Sequence, residues 1–266
     1  MRRSVSVKLT IGLAVVLAIV CSVFVLAQQP AAQGEGRGGA GGARQGGGGG
    51  AAGGTGAARA SAAPAFFKVE WVQPAGQTGQ VAIVQGNVAD PNLDLKWYGP
   101  AAKHLLTSGT PGSDTTPFSA WSGECDGPFA ITFRQKNNYV DLTGLARIRW
   151  VTKTSGFHAV RPVVKLADGT MLVGDRADAN VPMLIQNEFA VASVRWIKLD
   201  PARVVTVNNG PGGANNYIWV TNPDLSKVDE VGFADLMPSS GHGTGGYIHL
   251  GTIEVFGKPV PRGATN

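Results

Sequence analysis

Cysteine is nearly absent, with only Cys21 and Cys125 in 266 residues. Cys21 falls in an apolar leader, which leaves Cys125 alone and excludes an intramolecular disulfide framework. Glu124 and Asp126 flank Cys125, and neighbouring acids raise a thiol pKa, so Cys125 reads as inert, with pairing between molecules as the alternative. No Cys-x-x-Cys or His-x-x-x-His spacing occurs, so the chain carries no zinc-type motif. Acid is missing from the first quarter apart from Glu35, and this explains the basic pI of about 9.4. Of 23 Lys and Arg, three lie in residues 1–27 and three in 28–63, leaving 17 against 17 Asp and Glu from Pro64 onward. A formally neutral folded part has no nucleic-acid footprint, so no nucleic-acid partner is expected.

The N-terminus is organised for export. Arg2, Arg3 and Lys8 precede an apolar run over residues 11–26 that closes on Val25-Leu26-Ala27, the pattern of a signal peptide cut after Ala27. An uncleaved membrane anchor is the alternative, since the run approaches bilayer-spanning length. Cys21 fits a lipoprotein signal poorly, because bulky Val20 precedes it, and the residues after Arg2-Arg3 fit twin-arginine export poorly. Residues 28–63 are Gly and Ala with Arg37, Arg44 and Arg59, too poor in large apolar side chains to order, and read as a disordered tether. The expectation is an exported protein, periplasmic or extracellular, with no membrane contact after cleavage.

From Phe66 onward no amphipathic helix pattern occurs. Short runs rich in Val, Ile, Phe, Trp and Thr are cut by Gly, Pro, Asn and Asp, which predicts strands. They are expected at 66–73, 80–85, 93–98, 129–134, 145–152, 158–166, 171–174, 191–199, 203–207, 217–220, 228–233 and 247–256. Asp168-Gly169 marks a hairpin, because both residues tolerate the positive φ of a tight turn. Residues 99–121 and 208–216 read as loops. About twelve strands in one uninterrupted stretch predict an all-β fold: a single jelly-roll β-sandwich over 64–258, with a tail at 259–266.

Several phrases in residues 138–257 resemble the galactose-binding-like jelly rolls that include many carbohydrate-binding modules. They are Tyr139 to Gly144 leading into Ala146 to Trp150, then Val194 to Leu199, Asp224 to Phe233, and the closing Ile253 to Phe256. The resemblance covers about half of the chain and implies a fold and a carbohydrate or cell-surface glycan as partner. It carries no catalytic motif. It also implies that Glu254 stands where related jelly rolls supply a ligand to a structural calcium, although a hard cation needs several oxygens. The segment 239–246 does not belong to that pattern. No other cofactor is expected.

Aromatic rings carry the sugar question, because the C–H faces of pyranoses stack on them. Trp71, Trp150 and Trp196 lie in alternating strands and read as core. Trp97, Tyr98, Trp121, Trp219 and Tyr247 stand at strand ends or beside loops and are candidate platforms. Arg147 and Arg149 share one face of their strand, and Arg161 and Lys165 share a face of the next. If the two strands pair, four cations gather into a groove for acidic or hydroxylated glycans, the alternative being a solvated outer face. Asp235 and His242, with Glu188 as a further carboxylate, are the acid–base set for a glycan hydrolase or lyase. A third reading is a structural or adhesion domain that binds another surface protein. The leading reading is non-catalytic carbohydrate binding.

Overall fold

The computed structural model describes residues 62–123, 125–208, 216–236 and 246–263. The leader, nearly all of the tether, Glu124 and His242 lie outside them. Strands form where the sequence alternates. In chain order these are β1 (Ala65–Val69), β2 (Leu93–Tyr98), β3 (Leu106–Ser108), β4 (Ser119–Trp121), β5 (Phe129–Gln135) and β6 (Asn138–Asp141). Next come β7 (Arg147–Thr154), β8 (Ala159–Leu166), β9 (Met171–Gly174), β10 (Asp178–Ala179), β11 (Ile185–Ala190) and β12 (Trp196–Asp200). The last are β13 (Val205–Thr206), β14 (Trp219–Val220), β15 (Val228–Asp235), β16 (Ile248–Phe256) and β17 (Lys258–Pro261).

They pair into two sheets. The smaller runs β11-β7-β16-β4-β3, with β1 also on β16. The larger runs β13-β12-β9-β8-β15-β5-β2, with short strands β6, β10, β14 and β17 attached off this path. Ile148, Trp150, Ile253 and Val255 of the smaller sheet and Val160, Val164, Val231 and Phe233 of the larger are buried in one apolar cluster. The domain is therefore the expected all-β sandwich. Trp150 sits at its centre, stacked on Phe233 at 5.2 Å between ring centroids and edge-on to Phe189 at 5.0 Å. Its indole N–H donates to Asp178 at 2.7 Å, and that carboxylate also accepts from Asn187 and Arg176.

The outer face of the larger sheet is partly covered. Ala130, Val163, Met171, Val173, Ile197, Leu199 and Ala234 point outward and form a second buried cluster beneath Val204. Val204 holds a φ of 52°, costly for a β-branched residue, and total burial keeps it there. It rests against Gly99, where φ is 82° and an added Cβ would stand 2.7 Å from both Pro128 O and Val204 Cγ2.

Several details differ from the sequence reading. Residues 80–85 form no strand, only a bridge from Ala82 to Leu106. The expected loop 99–121 contains β3 and β4. The expected strand 191–199 begins as a short 3-10 turn, Val191–Ser193, that carries the chain from β11 in one sheet to β12 in the other. The expected tail contributes β17, paired with β6. The largest correction concerns the cations: β7 and β8 do not pair but lie in opposite sheets, because the turn between them crosses the core. Arg147 and Arg149 therefore face outward on one side of the sandwich, and Arg161 and Lys165 on the other.

Trp150→Ala is expected to destabilise the domain by about 3–5 kcal/mol, and Asp178→Ala by about 1–3 kcal/mol through a stranded indole N–H. Denaturant unfolding of both variants and of the double variant measures this. Because the two groups are bonded, the double change should cost less than the sum.

Candidate functional site

The expected site residues separate into four places. On the outer face of the smaller sheet, Arg149 bridges Glu188 at 2.7 Å and Glu254 at 3.0 Å. Arg147 meets Glu188 at 3.3 Å and lies over the Phe256 ring at 3.8 Å. These four charges pair with one another across the face. The Glu254 carboxylate accepts from Arg149, and among the described residues no three His, Cys, Asp or Glu side chains gather around it.

At the other end of the same face stand Trp121, Tyr247, His249 and Lys153. Register aligns His249 between Trp121 of β4 and Lys153 of β7. Trp121 and Tyr247 meet edge-on at 6.3 Å, Tyr247 and His249 at 5.3 Å. His249 Nδ1 lies 3.1 Å from Ser119 Oγ. Burial, helped by the Lys153 charge, pushes the imidazole down to about 4. A groove of about 260 Å³ opens beside it, between Lys153, Thr116 and Met183.

On the larger sheet, Tyr98 and Lys165 are engaged with Glu230, which is only 2% exposed. Tyr98 donates to that carboxylate at 2.8 Å, Lys165 donates to it at 3.2 Å, and Thr132 completes the set. Burial pushes the Tyr98 hydroxyl up to about 12, with the Glu230 charge adding to it and the Lys165 bond opposing. Burial opposes charge on Lys165, but its bonds to Tyr98 and Glu230 prevail and hold the ammonium above its usual value. This network ties together four strands, β2, β5, β8 and β15. Trp97 stands beside it on β2, 38% exposed and outside the lining of the cleft described next.

The fourth place is a cleft of about 820 Å³ at one end of the larger sheet's outer face. Arg161, Trp219 and Asp235 of the expected set line it, together with Phe157, Tyr217 and Asp175, which the sequence reading did not single out. The turn after β7, with Gly156 at φ 63°, throws Phe157 outward until it is 68% exposed. Tyr217 and Trp219 share a strand parity and meet edge-on at 6.2 Å; Trp219 is 42% exposed. Arg161 spends Nη1 on the carbonyls of Gly174 and Asp175, at 3.3 and 3.1 Å, and makes no other bond among the described residues. Burial pulls the Asp175 carboxyl upward, but its bonds to Arg195 outweigh this and hold it below the usual range. Asp235 is buried, with Oδ2 at 2.7 Å from Nδ1 of His158.

His158 is the partner that sequence reasoning missed. It lies 77 positions from Asp235, and only the pairing of β15 with β8 brings them together. Glu188 cannot join Asp235, because β11 belongs to the other sheet. His242 lies outside the described residues, so its pairing with Asp235 stays an expectation.

No family model matches the chain, and no curated protein sequence matches it. Among solved structures, it is similar to the family 11 carbohydrate-binding module of the cellulosomal cellulase Lic26A-Cel5E of Clostridium thermocellum. That match covers 70% of this chain and 96% of the module at 13% identity, with a TM-score of 0.35. PfGH50B matches over 64% of this chain at 10% identity and a TM-score of 0.34, and an exo-β-agarase over 70% at 12% and 0.34. The chain spans only 23% and 26% of the length of those two proteins. Likeness at this level is one of outline alone, and the sandwich itself rests on the strand pairing above.

His249 gives a pH prediction. Its folded value near 4 lies below the ordinary 6.5, so between those values the unfolded chain takes up a proton that the folded chain refuses. Stability contributed by the neutral imidazole is full above pH 6.5 and falls as the pH drops toward 4. His249→Gln should flatten this part of the curve of unfolding free energy against pH, read by urea unfolding from pH 4 to 7.5.

Proposed function

We propose that this chain is an exported, non-catalytic carbohydrate-binding β-sandwich, and that its glycan lies in the cleft beside Trp219. The observation that carries the reading is the convergence of Phe157, Tyr217 and Trp219 on one cleft with Arg161 beside them. Part-exposed rings offer stacking faces to pyranose C–H surfaces, and the remaining guanidinium donors of Arg161 suit hydroxyls or a carboxylate. The volume falls in the ordinary range of ligand pockets, roughly 300–1,000 Å³. Export rests on the leader read from the sequence.

The enzyme reading has less support. Hydrolysis of a glycosidic bond needs two carboxyl groups across the scissile bond. In this cleft Asp175 is tied to Arg195 and Asp235 to His158, while Glu188 sits on the opposite sheet. An adhesion role would use a flat apolar patch rather than a cleft.

A glycan array with the full chain, followed by calorimetry on the best ligand, tests the proposal. Trp219→Ala should weaken binding by about tenfold or more, as removal of a central aromatic anchor does, and Phe157→Ala by a smaller factor. Trp97→Ala, outside the cleft, should leave affinity within about twofold. Failure of the folded protein to bind any glycan would overturn the proposal in favour of a protein partner.

A further inference from the structure

β7 turns three cations to the outer face of the smaller sheet: Arg147, Arg149 and Lys153. Glu188 and Glu254 meet the first two, but Lys153 has no carboxylate within ion-pair distance among the described residues. The register explains this. The ladder with β11 ends where Ile185 pairs with Thr152, so β11 sets no partner opposite Lys153, and β16 sets His249 there. That imidazole, pushed down to about 4, is uncharged near neutral pH and cannot answer an ammonium. Lys153 Nζ lies over the Tyr247 ring at 5.3 Å and donates no hydrogen bond among the described residues.

The groove of about 260 Å³ beside this pair is lined by Lys153 and His249 together with Ser108, Thr115, Thr116 and Met183. Its wall is tightly built. Thr110 bridges to Pro117, and Gly109, at φ 88°, lets the two arms of the 109–117 loop close, since a Cβ there would stand 2.3 Å from Pro117 O. The only acid of that loop, Asp114, is exposed and does not line the groove. The volume lies below the roughly 300–1,000 Å³ of pockets that take drug-sized ligands, so it suits one ring rather than a chain. An unanswered ammonium, hydroxyls and a neutral imidazole around such a space match a ring with several hydroxyls and one carboxylate.

We propose that this groove binds a single sugar acid, a hexuronate, with Lys153 Nζ paired to its carboxylate and the loop hydroxyls and His249 within reach of its ring hydroxyls. The site stands on the smaller sheet, whereas the glycan cleft beside Trp219 stands on the larger, and neither depends on the other.

D-glucuronate, D-galacturonate and D-mannuronate, each beside its neutral hexose, are titrated into the full chain, with acetate at equal ionic strength as a control for any anion. The imidazole resonances that His249→Gln removes report binding at this place. At least one uronate should move them and bind roughly tenfold more tightly than its neutral parent, the worth of one charge-assisted hydrogen bond. Lys153→Gln should remove that preference, and Lys153→Arg should keep most of it. Trp219→Ala, which disables the glycan cleft, should leave the His249 response in place. The proposal is overturned if no uronate moves these resonances, or if acetate moves them as strongly as the uronates do. A uronate response lost in Trp219→Ala and kept in Lys153→Gln would overturn it too, by placing the sugar acid in the glycan cleft. The comparison of each acid with its neutral parent is made in the unaltered protein and needs no variant to fold.

Discussion

The stack of Trp150 on Phe233 is the contact on which the sandwich depends. It joins a central strand of the smaller sheet to a central strand of the larger, and it is possible only because the indole N–H reaches Asp178. Without that acceptor the largest side chain in the core would carry an unpaired donor into it. Asp178 belongs to the two-residue strand β10, and Asn187 to the edge strand β11. β10 is only two residues long and is tied to the central indole through Asp178, while β11 pairs with β7 over six residues and packs Phe189 edge-on against the same indole.

Period-two alternation then determines what each outer face can offer. With Ile148 and Trp150 turned inward, Arg147 and Arg149 must turn outward, and β11 and β16 place Glu188 and Glu254 against them. With Val160 and Val164 inward, Arg161 and Lys165 emerge on the opposite side, where Glu230 takes Lys165. Most strand-borne charges thus find their partners in the register itself. Arg161 keeps unused donors because its cross-strand neighbour in β15 is Ala234, which has no polar group to answer it.

Much of this was legible in the sequence, and the gaps have physical causes. Alternation identified the strands that line the core, and Asp168-Gly169 identified the β8–β9 hairpin, where Gly169 does take a φ of 89°. The three core tryptophans were readable from their positions in alternating runs. Edge strands such as β11 were not, because a strand with one neighbour shows little burial pattern. The grouping of four cations failed because parity gives the face of a strand but not the sheet to which the strand belongs. The Asp235–His158 contact was invisible for the same reason, since pairing is a property of two distant segments.

The cleft beside Trp219 lies where this logic of register ends. Phe157 and Tyr217 stand on turns or isolated bridges, and Trp219 on a strand of only two residues. Trp219 pairs with Ile197 in a two-residue ladder and Tyr217 with Asn208 in a single bridge, and all three rings remain at least partly exposed. Arg195 lies over the Trp219 ring and is itself held by Asp175, which braces the indole. The proposed glycan cleft therefore stands at one end of the sandwich, beside a single braced indole. This accounts for its separation from most of the charged residues that drew attention in the sequence.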